Sequence, residues 1–255
     1  MRINIALGMT TDWFGYAQVT IASILDNASS EDDYYFYILS NQFEESAKDS
    51  FIRLNKIKPA NFEFILIDDS YFDGAIHDWL GVSSSYRLRL PSVVNEPKVL
   101  YLDSDIIAME DIAPLYKNDV SDYYLGAVED KCAHMMKLRI KLGAEYNFYN
   151  GGVQLINLDA FRRDNLEEII MEKLRLNKIY TDQDVINDVC KGKILQLPLK
   201  YNIMPMPSAY KRKKEEFEAV IKNPVLVHFT QKPWRGAQVM HVEQWQKYNN
   251  MVKGL

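Results

Sequence analysis

Val99-Leu100-Tyr101-Leu102-Asp103-Ser104-Asp105 is an apolar run that ends in two acids two positions apart. Alternation in an extended chain puts both carboxylates on one side, where they can converge on a single hard divalent cation through oxygen ligands. A cation there would neutralise a diphosphate. A pair of solvated acids in the turn after a strand explains the same letters, so the motif takes its meaning from its surroundings.

Upstream, strand-like runs alternate with helix-length segments: Ile3 to Leu7, Tyr16 to Asn27, Tyr35 to Leu39, Glu44 to Lys56 and Phe62 to Ile67. This βαβαβ order predicts a mostly parallel sheet with helices on both faces and a ligand crevice beyond the carboxyl ends of the strands. The strand Lys98 to Leu102 delivers Asp103 to that edge. Ser83-Ser84-Ser85 reads as a helix N-terminus leading into Tyr86 to Leu90, with Pro91 as the stop. Downstream, Tyr123 to Val128 and Gly152 to Leu158 read as strands and Asn165 to Asn177 as a helix. Pro198, Pro205 and Pro207 break up the region after Leu195, and Pro224 to Phe229 is a last short strand. In the C-terminal helix around His241 to Met251, Val242, Trp245, Tyr248 and Met251 recur at helical spacing, which predicts packing onto the body.

With 255 residues, 47% hydrophobic and 25% charged, the chain suits one large soluble domain. No segment approaches the ~20 apolar residues of a membrane span, and Met1-Arg2 runs straight into a strand without a signal-peptide pattern, so a cytoplasmic location is expected. A net charge of -5 gives no general push towards nucleic acid. The basic cluster Lys211-Arg212-Lys213-Lys214, followed by Glu215 and Glu216, reads as a solvated helix face; contact with anionic lipid or an anionic acceptor glycan is the other reading. Cys132 and Cys190 lack any CxxC spacing or matching histidines, which argues against a disulfide framework or structural zinc.

Three further clusters carry chemistry. His228 ends the run Val225-Leu226-Val227 and precedes Lys232-Pro233-Trp234. An imidazole joining two carboxylates suits a transition-type ion such as Mn²⁺, and the lysine can meet a phosphate; a histidine with a satisfied hydrogen bond at a strand end is the alternative. Tyr149-Asn150-Gly151-Gly152 reads as a turn before a strand, either sugar-reading or plain. Thr181-Asp182-Gln183-Asp184 opens a helix, where Thr181 or Asp182 is an ordinary N-cap.

Occurring together and in this order, with Tyr86-Arg87-Leu88 between them, these pieces resemble glycosyltransferase family 8, which includes bacterial lipooligosaccharide galactosyltransferases and glycogenin. The resemblance runs over nearly the whole chain. It implies an α/β fold of GT-A type, with a single Rossmann-like mixed sheet flanked by helices, in one domain. Residues 1–105 would form the nucleotide-binding half, 106–240 the sugar and acceptor half, and 241–255 the C-terminal helix. The implied activity is retaining transfer of galactose or glucose from a UDP-sugar to a glycan or glycolipid acceptor, as in lipopolysaccharide synthesis, with peripheral contact at the inner face of the membrane. Asp103, Asp105 and His228 would hold Mn²⁺ or Mg²⁺. Leu7, Thr10, Asp12, Arg87, Ser104, Asp130, Asn150, Gly151 and Lys232 would join the two acids around the donor, with Asp182 and Gln183 at the reacting sugar. A glutamine amide is a poor nucleophile, so front-face transfer through an oxocarbenium-like ion pair is expected rather than double displacement.

Two departures stand out. Gly8-Met9-Thr10-Thr11-Asp12-Trp13 occupies the place of small and Asp/Asn residues followed by Tyr, and Phe229-Thr230-Gln231 is a shorter loop without the family's glycine. A nucleotide-sugar hydrolase and a non-catalytic sugar-nucleotide binder are the competing readings.

Overall fold

Strands β1 (Arg2–Gly8), β2 (Asp33–Ser40), β3 (Asn61–Leu66) and β4 (Lys98–Leu102) run parallel in the order β3-β2-β1-β4. In the computed structural model, which describes residues 1–76, 81–131, 133–177, 179–204, 214–237 and 239–255, they form one half of a seven-stranded sheet. The chain then passes through β5 (Ile106–Ala108), β6 (Leu125–Glu129), β7 (Tyr149–Asn157), β8 (Ile194–Gln196) and β9 (Leu226–His228). Antiparallel β7 lies between β4 and β6, and β8 runs parallel to β6 at the far edge. β5 and β9 pair antiparallel as a separate two-stranded sheet, an addition to the single sheet expected. Cys132, Pro205, Pro207 and residues 211–213 lie outside the described residues, as do the side chains of Lys214, Glu215 and Glu216.

The helices are α1 (Phe14–Asp26), α2 (Glu45–Ile52), α3 (Leu90–Val93), α4 (Ala113–Tyr116), α5 (His134–Arg139), α6 (Leu158–Arg163), α7 (Leu166–Leu176), α8 (Asp182–Val189), α9 (Lys214–Lys222) and α10 (Val242–Lys253). Alternate residues of β1 and β4 enter two different cores. Ile3, Ile5, Leu7, Leu100 and Leu102 pack with Ile21 and Leu25 of α1, whereas Ala6, Val99 and Tyr101 face Tyr86, Leu88 and Ile170. Burial on both faces explains why these strands read as nearly continuous apolar runs, with Asn4 the one polar residue between Ile3 and Leu7. Trp245 and Tyr248 of α10 are buried, and Asn27 Nδ2 donates to the Tyr248 hydroxyl at 2.8 Å, which fastens the C-terminal helix to α1. No helix among the described residues is long and apolar enough to cross a membrane.

Two local expectations are corrected. Pro91 does not stop a helix: a 3-10 segment, Val82–Arg89, runs directly into α3, and Pro91 lies in the first turn of α3, where a missing N–H breaks no helical bond. The Asn150-Gly151-Gly152 segment is not a turn, because β7 begins at Tyr149 and neither glycine has positive φ. Their smallness instead leaves room for the side chains of Arg87 and His228.

Cys190 is wholly buried at the end of α8, and burial pushes its thiol pKa up. The native protein is therefore expected to leave Cys190 unmodified by a thiol reagent at neutral pH and to expose it in denaturant. Peptide mass mapping reads this directly, and rapid native labelling of Cys190 would contradict the packing.

Candidate active site

At the carboxyl end of β4 the chain is held from two sides. Asp103 N–H donates to Gly152 O at 2.9 Å, tying it to β7, and the Ser104 carbonyl accepts from Thr20 Oγ1 of α1 at 3.1 Å. The chain then enters β5, where Ile106 pairs with His228, and Phe229 N–H donates to Asp105 O at 2.8 Å. This ladder brings a distant histidine onto the acid pair. His228 Nε2 lies 3.2 Å from Asp105 Oδ1 and 3.7 Å from Asp103 Oδ2, and the three potential ligand atoms fall within 4.8 Å of one another.

Asp105 and His228 are buried, and Asp103 is partly open. Burial alone would raise the Asp105 pKa, but His228 and Lys232 beside it hold it below the usual carboxylate range. Burial would lower the His228 pKa, and Asp105 and Asp103 reverse this, leaving it raised. Lys232 Nζ contacts Asp105 Oδ2, donates to Phe229 O at 3.1 Å and lies 5.4 Å from the Trp13 ring centroid. Its ammonium is thus placed against a metal-type acid.

Arg87, from the 3-10 segment, is the hub beneath these groups. Its Nε donates to Ser84 O at 2.7 Å, Nη1 donates to Gly151 O, and Nη2 lies 3.5 Å from Asp103 Oδ1. Nε also lies 2.9 Å from Asp182 Oδ2, an ionic contact without hydrogen-bond alignment, since that oxygen has no hydrogen-bond partner. The guanidinium carbon stands 4.5 Å from the centre of the Tyr101 ring. All three nitrogens thus face protein groups, so Arg87 organises the site from below. Burial raises the Asp182 pKa, against the pull of Arg87.

A capping box explains why Asp182 and Gln183 are available to this cluster. Thr181 and Asp184 exchange the reciprocal cap bonds of α8, with Asp184 N–H on Thr181 Oγ1 at 3.2 Å and Thr181 N–H on Asp184 Oδ2 at 2.7 Å. Thr181 is the N-cap, and Asp182 is the first residue of the helix. Gln183 Oε1 accepts the Gly151 N–H at 2.8 Å.

A cavity of about 370 Å³ opens beside the acids, with Thr10, Asp12, Trp13, Ser84, Tyr101 and Asp103 to Asp105 in its walls. Thr10 Oγ1 donates to Asp12 Oδ1 at 2.5 Å. Leu7 is different: its side chain is wholly buried in the apolar core, so only its backbone is left to serve a ligand. Asp130 follows β6, half-buried, with its N–H on Phe148 O at 2.8 Å. Asn150 reaches His228 through Asn202, a buried residue that the sequence reading missed.

The sequence profile of glycosyl transferase family 8 matches residues 4–238. The chain belongs to this family. A putative glycosyltransferase of Haemophilus influenzae is 26% identical over 234 residues, which cover 88% of this family-8 chain and 70% of that protein. General stress protein A of Bacillus subtilis is 22% identical, over 83% of this chain and 80% of that one. Among solved structures, galactosyltransferase LgtC in complex with donor and acceptor sugar analogs matches with a TM-score of 0.85 at 23% identity, over 98% of this chain and 96% of that one. At that identity the likeness carries the fold, and this family-8 glycosyltransferase has the GT-A architecture.

Proposed function

We propose that the chain is a retaining hexosyltransferase that moves galactose or glucose from a UDP-sugar to a glycan or glycolipid acceptor, with Mn²⁺ or Mg²⁺ held by Asp103, Asp105 and His228. The observation that carries this reading is the meeting of two carboxylates and an imidazole beside an open cavity. The donor set fits a metal. Asp105 Oδ1 is buried without a hydrogen-bond partner and faces His228 Nε2 at 3.2 Å, close to the ~3.0 Å edge of an octahedron with ~2.1 Å bonds. A mixed oxygen and nitrogen set favours Mn²⁺. When bound, the metal offsets the charge that develops on the diphosphate leaving group.

The chain's own residues supply the rest. Thr10 and Asp12 line the base and ribose side of the cavity, and Lys232, already beside Asp105, adds a cation for the diphosphate. Arg87 keeps the carboxylates of Asp103 and Asp182 apart and charge-balanced beneath the sugar, with Asp130 and Asn150 at its edge. Gln183 Oε1 is occupied by the Gly151 N–H, which together with the weak nucleophilicity of an amide favours front-face transfer. The bond from the anomeric carbon to the phosphate oxygen breaks, the acceptor hydroxyl adds on the same face, and its proton passes to the departing phosphate. Asp182 and Gln183 orient the sugar and support the developing charge. An LgtC structure, 22% identical to this chain, carries a glutamine-to-glutamate change in its active site, which supports giving a glutamine a part here.

UDP release is expected to require both Mn²⁺ and a sugar acceptor. Release at the same rate without acceptor would make the protein a hydrolase, and binding without turnover would make it a binder. Asp182→Asn and Gln183→Ala are each expected to lower kcat about 10²-fold with little change in donor KM. Wild-type kcat in Gln183→Ala would remove Gln183 from the mechanism.

A further inference from the structure

Gly152 begins a chain of polar contacts that ends on the imidazole of His228. Its backbone N–H donates to Asn150 Oδ1 at 2.9 Å, Asn202 Nδ2 donates to the same oxygen at 2.8 Å, and Asn202 Oδ1 lies 3.1 Å from His228 Nδ1. The direction of the whole chain follows from its first member. A peptide N–H can only donate, so the Asn150 atom facing it is the oxygen. Asn202 then presents its nitrogen to that oxygen and its own oxygen to the ring. An amide oxygen can only accept, so Nδ1 carries a proton; Nε2, which faces the acceptor-only carboxylates of Asp103 and Asp105, is then the nitrogen that gives up its proton when a cation comes between them. Asn150, Asn202 and His228 are 8%, 1% and 4% exposed, which leaves little room for water to substitute for a missing link.

We infer that Asn202 is a positioning residue which, with Asn150, holds His228 in the Nδ1-protonated tautomer and so keeps Nε2 ready as a metal ligand. The inference rests on the metal site proposed above. It also reassigns part of Asn150: two donors already occupy its oxygen, and only its amide NH₂, 3.8 Å from Met204 Sδ, remains for a sugar. Residues that orient a metal-bound histidine through its second nitrogen typically change metal affinity by about 10–100-fold when removed.

The test has two independent readouts. Long-range ¹H–¹⁵N spectra of the protein loaded with diamagnetic Mg²⁺ report which His228 nitrogen keeps its proton; Nδ1–H is expected, and a bare Nδ1 would overturn the inference. Titration with Mn²⁺, followed by loss of the free-ion EPR signal, reports affinity without any turnover. Asn202→Leu removes the acceptor and is expected to weaken Mn²⁺ binding about 10–100-fold. Asn202→Asp keeps an acceptor for Nδ1–H but loses the bond to Asn150 Oδ1, and it is expected to bind Mn²⁺ clearly more tightly than Asn202→Leu, which a merely structural role for Asn202 would not produce. Unchanged Mn²⁺ affinity in folded Asn202→Leu would refute the positioning role. If that variant does not fold, the wild-type tautomer decides. Wild-type protein that binds no Mn²⁺ yet shows Nδ1–H would instead sink the metal reading and leave the hydrogen-bond chain standing.

Discussion

Gly152→Ala is expected to lower kcat/KM by about 10²-fold or more and to weaken Mn²⁺ binding in parallel, in a protein that still folds. A methyl group at this position would lie 2.4 Å from His228 Cε1, 2.8 Å from His228 Nδ1 and 2.9 Å from Asp103 Oδ2. The ring would have to retreat by about 1 Å to reach ordinary contact, and a displacement of that size at a reacting centre costs about 10²-fold. His228 has no easy retreat, because its Nδ1 is tied to buried Asn202. The backbone itself tolerates the change, since Gly152 has an ordinary strand conformation in β7. Folding and chemistry should therefore separate: circular dichroism stays native while the EPR titration and steady-state kinetics move. Kinetics equal to wild type would mean that the imidazole and the Asp103 carboxylate need not meet.

The second large effect falls on stability. Arg87→Met is expected to destabilise the fold by about 3–5 kcal/mol, the usual result of removing one member of a buried ion cluster and leaving its partners uncompensated. Here the stranded groups are Asp103 and Asp182, 3.5 and 2.9 Å from the guanidinium, together with the Ser84 and Gly151 carbonyls that it satisfies. In a domain of this size the loss corresponds to a fall of about 10 °C in Tm. Arg87→Lys should recover only part of it, because an ammonium is a point charge and cannot serve three directions at once. Calorimetry on the two variants checks the order. A Tm within 2 °C of wild type for Arg87→Met, about 0.5–1 kcal/mol, would show that the acids do not depend on this arginine.

Much of the architecture was legible because β1, β2 and β4 are buried on both faces and spell nearly continuous apolar runs, while α7 carries helical periodicity and α1, buried at every position from Ala17 to Leu25, shows by its length and apolarity. Asp103 and Asp105 were legible for the same reason, standing where such a run stops. Gly151 and Gly152 were misread because paired glycines usually signal a turn; their real task is clearance for Arg87 and His228, which stand 141 positions apart in the chain. Asn202 left no signal at all. It lies in an irregular segment after Leu195 without periodicity, and its importance comes from partners at positions 150 and 228 that only the folded chain brings near. Arg87 was visible as a cation near the donor, but a sequence cannot show that its nitrogens are already engaged by Ser84, Gly151, Asp103 and Asp182.

The small β5–β9 ribbon has a consequence for how the protein comes into being. It fastens residue 106, one step after the second acid, to residue 228, so the imidazole joins the acids only after 123 further residues have been added to the chain. At about 5–20 residues per second a ribosome needs on the order of 10 s to cover that interval. Throughout it the residues of β1 to β4 and both carboxylates have been made, while the nitrogen donor has not. A nascent chain therefore carries both acids well before it carries the imidazole, and the three groups can meet only when the ribbon pairs.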